Sequence, residues 1–310
     1  MTRAVVAQNY GGPEVLALQD IEIPELREGQ VLVDVRAAGT NPIDVKLYSG
    51  AMGQDPARLP MRLGLEAAGV VAAITPGATA YTGPLTVGDE VIVTNVDGTY
   101  ADQIVATAAE LGHKPAALSF PEAAGLVLAA GTAWHLLTKT GVGTSDTVLI
   151  HGASGGVGLM AVQLAVARGA TVIATASPGR HAQLREYGAE PVAYGDGLAD
   201  RVRAIGPVDV ALDLVGTDEA LDTSVELVAD RARIASIAGF ERGPELGIAV
   251  LSSADGGQEV RDAARPDIIA LAADGKLVVT VDRTFPLDEA AEAHRYLQTG
   301  HAGGKVVLVP

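Results

Sequence analysis

Between residues 147 and 169 the chain turns almost wholly apolar and then changes its period. The run Thr147-Val-Leu-Ile-His151 is short and β-branched, which predicts a buried strand. Gly152, Gly155, Gly156 and Gly158 follow, separated only by Ala153, Ser154 and Val157, and predict a tight turn. Leu159, Val162, Leu164 and Val166 then predict an amphipathic helix over 157–168 that stops at Arg168-Gly169, a cation and a helix-ending glycine. Beyond it the pattern keeps alternating, with strands and helices expected at 171–175, 180–187, 191–193, 198–204, 208–213, 218–228 and 233–237. That alternation predicts a doubly wound α/β unit, a parallel sheet with helices on both faces.

The first 120 residues read differently. Period-two runs predict strands at 3–7, 15–23, 31–37, 67–73, 90–93 and 100–106, divided by turn residues such as Tyr10-Gly-Gly-Pro13 and Val96-Asp-Gly98. Pro121-Glu122 opens a helix, with proline early and a carboxylate near the positive end of its dipole. After about 265 come a helix at 268–273, a strand at 277–281, a helix at 287–299 and a strand at 305–309. The expected organisation is one β-rich domain from 1–121 and 265–310, with the α/β domain inserted at 122–264.

Strand, glycine turn and helix N-terminus together suit a pyrophosphate. Glycines let the backbone come close, and the free N–H groups and dipole stabilise negative charge. The candidates are Gly152, Ser154, Gly155, Gly156, Val157 and Gly158. No Asp or Glu occurs between Asp146 and Glu186, where an NAD-selective site places its ribose-binding carboxylate. Ser177 and Arg180 stand there instead, with Tyr194 after the third strand, and this set suits a 2′-phosphate. NADPH is therefore the expected cofactor. Val215 and the run Ala238-Gly239-Phe240 follow the fourth and fifth strands, at the carboxyl edge where cofactors bind.

Composition removes several alternatives. The 310 residues suggest about two domains. The net charge of −16 argues against nucleic acid and anionic membrane surfaces as partners. The uncharged stretch from Thr147 to Ala167 is long enough to raise a membrane span, but its glycine cluster argues against a continuous apolar helix. With no cysteine, thiolate catalysis and thiolate metal sites are excluded, and a cytoplasmic location is the default. Met1-Thr2-Arg3 leads straight into a strand, so no signal peptide is expected. The six histidines lack metal-ligand spacing and read as structural or exposed.

A resemblance covers nearly the whole chain. Tyr10-Gly-Gly-Pro-Glu-Val15, Ala38-Gly-Thr-Asn-Pro-Ile-Asp44, Leu63-Gly-Leu-Glu-Ala-Ala-Gly-Val70, Gly88-Asp-Glu-Val91, Ala130-Gly-Thr-Ala-Trp134, the turn at 151–158 and Gly303-Gly-Lys-Val-Val-Leu308 occur in order. This set resembles the medium-chain dehydrogenase/reductase superfamily, in its zinc-independent quinone oxidoreductase branch of zeta-crystallin-like proteins. The resemblance implies a GroES-like β-rich catalytic domain, a Rossmann domain and a homodimer or tetramer. It places Thr132 at the nicotinamide end of the cofactor, Asn41 on the substrate or nicotinamide, Tyr48 as a possible donor to a developing oxyanion, and Asp44 as an orienting group.

Zinc-dependent relatives carry a cysteine ligand in Gly-x-Cys-x-x-Asp and a histidine ligand in Gly-His-Glu. This chain has Gly39-Thr-Asn41-Pro-Ile-Asp44 and Gly64-Leu65-Glu66, so an amide and an isobutyl group replace both ligands. No three-ligand catalytic zinc site is expected. Without a Lewis acid the natural acceptors are those that delocalise the incoming hydride themselves, quinones or conjugated carbonyls. Reduction of enals, enones or enoyl thioesters is the alternative within the class. A redox-inactive, crystallin-like NADPH-binding protein is the alternative outside it. A C2 dimer joined along the sheet edge near 233–237 and 247–251 is the expected assembly.

Overall fold

The computed structural model describes residues 1–252 and 256–310, and the chain divides into two compact units. One comprises Met1–Leu128 with Val279–Pro310, the other Ala129–Val278. An expected boundary at 264/265 would fall within the helix Gly257–Ala273, which continues past Pro266.

The second unit holds, among the described residues, a six-stranded parallel sheet. Its strands in chain order are Thr147–His151, Thr171–Thr175, Ala189–Val192, Val210–Asp213, Ile234–Ser236 and Ala249–Val250. Across the sheet they run third, second, first, fourth, fifth, sixth, so the order reverses beside the first strand. That reversal is where doubly wound sheets bind nucleotides. Val148, Leu149 and Ile150 are fully buried, as expected for a strand covered on both faces.

The helix after this strand spans Gly156–Ala167 and is capped by Arg168 and a left-handed Gly169. It is not amphipathic: every residue from Gly158 to Ala165 is buried. On this helix the Gln163 side chain donates to the Val278 carbonyl at 3.0 Å and accepts from the Val278 N–H at 2.7 Å. The same contact explains a shifted strand. Residues 277–280 are not in a strand, since Val278 is held by a side chain rather than a neighbouring strand, and the strand is Val281–Pro286.

The first unit is β-rich. Gln30–Gly39 pairs antiparallel with both Glu66–Ile74 and Gln103–Thr107, and its far end pairs with Lys305–Val309. Val31, Val33, Val35, Leu63, Val91, Val93, Ile104 and Leu111 fill the core beneath this sheet. Helices Pro42–Tyr48 and Ala290–Gln298 pack against that same core through Tyr48, Ala290 and Ala293. No helix among the described residues is long and apolar enough to cross a membrane.

Candidate active site

In the second unit the glycine turn closes tightly between the first strand and its helix. Gly152 adopts φ 73°, a left-handed conformation that suits glycine. Its N–H points to Thr175 Oγ1 at 3.3 Å, and the Ala153 N–H donates to the Thr175 carbonyl at 3.1 Å. A Cβ at Gly158 would lie 2.3 Å from the Gly152 carbonyl oxygen, so the turn closes only without a side chain there. Gly155 is the N-cap of the following helix, whose first N–H groups have no partner within the helix. This cradle fits a dinucleotide pyrophosphate, with Ser154, Gly156 and Val157 at its rim.

Apart from Thr132, the other expected cofactor residues follow the strands of the same sheet. Ser177 and Arg180 bracket a 3₁₀ turn, Pro178–Arg180, immediately after the second strand. Val215 abuts the glycine turn, since a Cβ at Gly152 would lie 2.6 Å from Val215 Cγ1. Gly216 in turn abuts Ala238, where an added Cβ would meet the carbonyl carbon at 2.8 Å. Tyr194, Val215 and Phe240 are exposed. Thr132 is half-buried in the helix Val127–Lys139. His151 ends the first strand fully buried, and burial pushes its imidazole down to about 4 against the opposing pull of Asp213.

In the first unit a closed polar triangle surrounds Asn41. Lys305 donates to Asn41 Oδ1 at 2.7 Å, to Glu66 Oε1 at 2.8 Å and to the Thr40 carbonyl at 3.2 Å. Asn41 Nδ2 donates to the same Glu66 oxygen at 3.0 Å. Only this amide orientation serves both neighbours, because the ammonium is a pure donor and the carboxylate a pure acceptor. The second Glu66 oxygen accepts from the Leu128 N–H at 3.2 Å. Lys305 and Glu66 are 4% and 1% exposed, so this is a buried ion pair with all three ammonium protons used. Gly39 lies opposite Glu66 in the sheet, and a Cβ there would fall 2.6 Å from its carboxylate.

A second hydrogen-bonded chain begins on Asp44, in the helix Pro42–Tyr48. Its Oδ2 accepts from the Asn41 N–H and from the Tyr100 hydroxyl, both at 2.8 Å, while Oδ1 is buried with no protein partner among the described residues. Burial pushes the carboxyl up to about 7, although Tyr100 and the Asn41 N–H pull it down. Tyr100 spends its proton on Asp44, so its oxygen accepts from His294 Nε2–H at 3.1 Å. His294 Nδ1 is then the acceptor for the Tyr48 hydroxyl at 3.2 Å. Burial holds His294 down at about 4 and lifts Tyr48 to about 12 and Tyr100 well above its ordinary range, so all three are neutral at physiological pH.

This arrangement bears on the three residues expected at the substrate end. Tyr48, expected as a possible donor to substrate, has no exposed surface and gives its hydroxyl to His294. Asp44 accepts from the Asn41 N–H at the start of the helix. Asn41 keeps a small exposed area and an amide fixed by Lys305 and Glu66. Sequence reasoning missed Lys305, Glu66 as its partner, Tyr100 and His294. A usable signal existed for two of them: Glu66 and Lys305 each head an otherwise apolar strand, and opposite charges at buried positions require one another. Among the described residues no group of three His, Cys, Asp or Glu side chains could hold a metal ion.

Comparison with known proteins places this geometry in a family. Residues 27–151 match the alcohol dehydrogenase GroES-like domain, and residues 187–308 match the zinc-binding dehydrogenase family. A quinone oxidoreductase of Pseudomonas aeruginosa is 33% identical over the full length of both chains. The NADPH-dependent alkenal/one oxidoreductase of Arabidopsis thaliana chloroplasts is 32% identical, across 99% of this chain and 79% of its own. The crystal structure of an Escherichia coli quinone oxidoreductase complexed with NADPH superposes with a TM-score of 0.86 at 28% identity, covering 99% of this chain and 100% of the other. By likeness that runs from end to end, the chain belongs to the medium-chain dehydrogenase/reductase superfamily, in its zinc-independent quinone oxidoreductase branch.

Proposed function

We propose that this protein is an NADPH-dependent, metal-free reductase of quinones and other conjugated carbonyl compounds. The observation that carries the reading is the Lys305–Asn41–Glu66 triangle. Asn41 occupies the position of the thiolate ligand in zinc-dependent members, and here its amide is satisfied by an ammonium and a carboxylate. A site so built offers an amide held by a neutral ion pair, not a divalent Lewis acid. It suits an acceptor whose own conjugation spreads the hydride's charge.

The bound cofactor supplies the hydride. The glycine turn holds its pyrophosphate, and Ser177, Arg180 and Tyr194 select the 2′-phosphate. Thr132, Val215, Ala238, Gly239 and Phe240 line the nicotinamide side. Asn41 positions the acceptor or the nicotinamide, steadied by Lys305 and Glu66, while Asp44 and Tyr48 hold the helix behind it.

Steady-state NADPH oxidation with a panel of 1,4-quinones and of 2-alkenals tests the reading. Turnover of quinones is expected. The alkenal/one oxidoreductase relative favours a second reading, double-bond reduction of enals or enones, and faster turnover of alkenals would select it. Tight NADPH binding with no turnover in either panel would leave a redox-inactive binding protein.

We propose a homodimer joined through the edge strand Ala249–Val250, which pairs on one side only among the described residues. Sedimentation at micromolar concentration should give a dimer, and a monomer alone would remove this assembly. We assign the cytoplasm as its compartment, in keeping with a cysteine-free chain that draws on NADPH.

A further inference from the structure

We infer that Asp213 and Ser236 form a buried latch that holds together the two loops facing the cofactor, and are thus positioning residues for cofactor binding. The inference rests on the NADPH reading above. Asp213 ends the fourth strand of the parallel sheet, Ser236 ends the fifth, and the two are register partners. Both are fully buried.

Asp213 gathers donors from one loop. Its Oδ1 accepts from the Val215 N–H at 3.1 Å and the Gly216 N–H at 2.9 Å, and its Oδ2 from the Gly216 N–H at 3.1 Å. Ser236 gathers donors from the other: its Oγ accepts from the Ala238 N–H at 3.0 Å and the Gly239 N–H at 2.7 Å. One bond joins the halves, with the Ser236 hydroxyl donating to Asp213 Oδ2 at 2.5 Å. A hydroxyl is the smallest group able to accept from one loop and donate to the anchor of the other.

The loop tips face outward while their anchors do not. Val215 and Phe240 are 46% and 47% exposed, against 0% for Asp213 and Ser236. The anchors therefore act on a ligand only through the loops. Val215 also abuts Gly152, so the latch reaches the phosphate turn by contact. Fixing four backbone positions, Val215, Gly216, Ala238 and Gly239, before the ligand arrives lowers the ordering cost of binding.

The test uses full-length Ser236→Ala and Asp213→Asn, with dissociation constants for NADPH and NADH from fluorescence titration and amide exchange of the cofactor-free proteins. In Ser236→Ala two loop N–H groups lose their acceptor, and NADPH and NADH should both weaken about tenfold, the value of one hydrogen bond at 1.4 kcal/mol per decade. The NADPH-to-NADH ratio should not change, because the latch lies away from Arg180. Exchange should quicken in both loops, including Val215 and Gly216, which keep their own acceptor. Asp213→Asn, which preserves shape, should weaken both cofactors and decides the matter if Ser236→Ala does not fold. Unchanged affinities in a folded variant with faster exchange would reduce the latch to a structural feature. Faster exchange confined to Ala238 and Gly239 would break the link between the loops. Wild-type protein that bound neither cofactor would overturn the NADPH reading and this role with it, whereas weakened variants beside a binding wild type uphold both.

Discussion

The ammonium of Lys305 lies 2.8 Å from the Glu66 carboxylate and 2.7 Å from the Asn41 amide oxygen, and all three residues are buried. Lys305→Met should cost about 3–5 kcal/mol, because it strands a buried carboxylate. Glu66→Leu should cost a similar amount by stranding the ammonium. The double variant should lose clearly less than the sum, since it buries no orphaned charge. Guanidinium unfolding of the four proteins measures the cycle, and additive losses would show that the pair is not coupled.

Stability should depend on pH through three buried groups. His151 and His294 fall from 6.5 to about 4 in the folded chain, so their contribution is present above 6.5 and lost as pH drops towards 4. Asp44 rises from 3.8 to about 7, so its contribution is present below 3.8 and lost as pH climbs to 7. Between about 4 and 6.5 the two histidines outweigh the one carboxyl by a proton. Stability should then rise by about 1.4 kcal/mol per pH unit and peak near 6.5. Asp44→Asn mimics the protonated acid and should roughly double that slope. Urea midpoints across pH 4.5–8 check this, and a slope indifferent to the substitution would contradict the burial argument.

Arg180→Ala should weaken NADPH by about 10- to 150-fold, since a hydrogen bond to a charged group contributes roughly 1.5–3 kcal/mol. NADH should hardly change. The chain's net charge of −16 makes a local cation more necessary for an anionic cofactor, so the gap should narrow as salt rises. Equal losses for both cofactors would mean that Arg180 supports the helix rather than the phosphate.

Two glycines of the turn should behave differently. A Cβ at Gly155 meets nothing closer than 3.6 Å, whereas one at Gly158 falls 2.3 Å from the Gly152 oxygen. Gly155→Ala should keep its melting temperature and lose cofactor affinity, because the methyl occupies only the ligand's approach. Gly158→Ala should lose both. Calorimetry beside fluorescence titration separates them, and a reversed order would mean that the turn closes in another way.

Exhaustive chelation should leave turnover intact, and elemental analysis should find no stoichiometric zinc. Activity lost to chelation and restored by zinc alone would overturn the metal-free reading.

Much of this was legible from local pattern. The strand, the glycine turn and the helix at 147–168 follow from residue type over a few positions, as does the lack of an acidic residue before Glu186 that points to NADPH. Residue identity alone also removed the zinc ligands at Asn41 and Leu65. What the tertiary structure decided lies in contacts between residues far apart in the chain. Lys305 meets Glu66 and Asn41 across 239 and 264 positions, and His294 meets Tyr48 and Tyr100 across 246 and 194. Gln163 stands in for a strand partner of Val278, 115 residues away, and the strand expected at 277–281 begins only at Val281. Local periodicity records which face a residue presents, and a buried polar group takes its meaning from its partner, which is chosen only when distant segments close on one core.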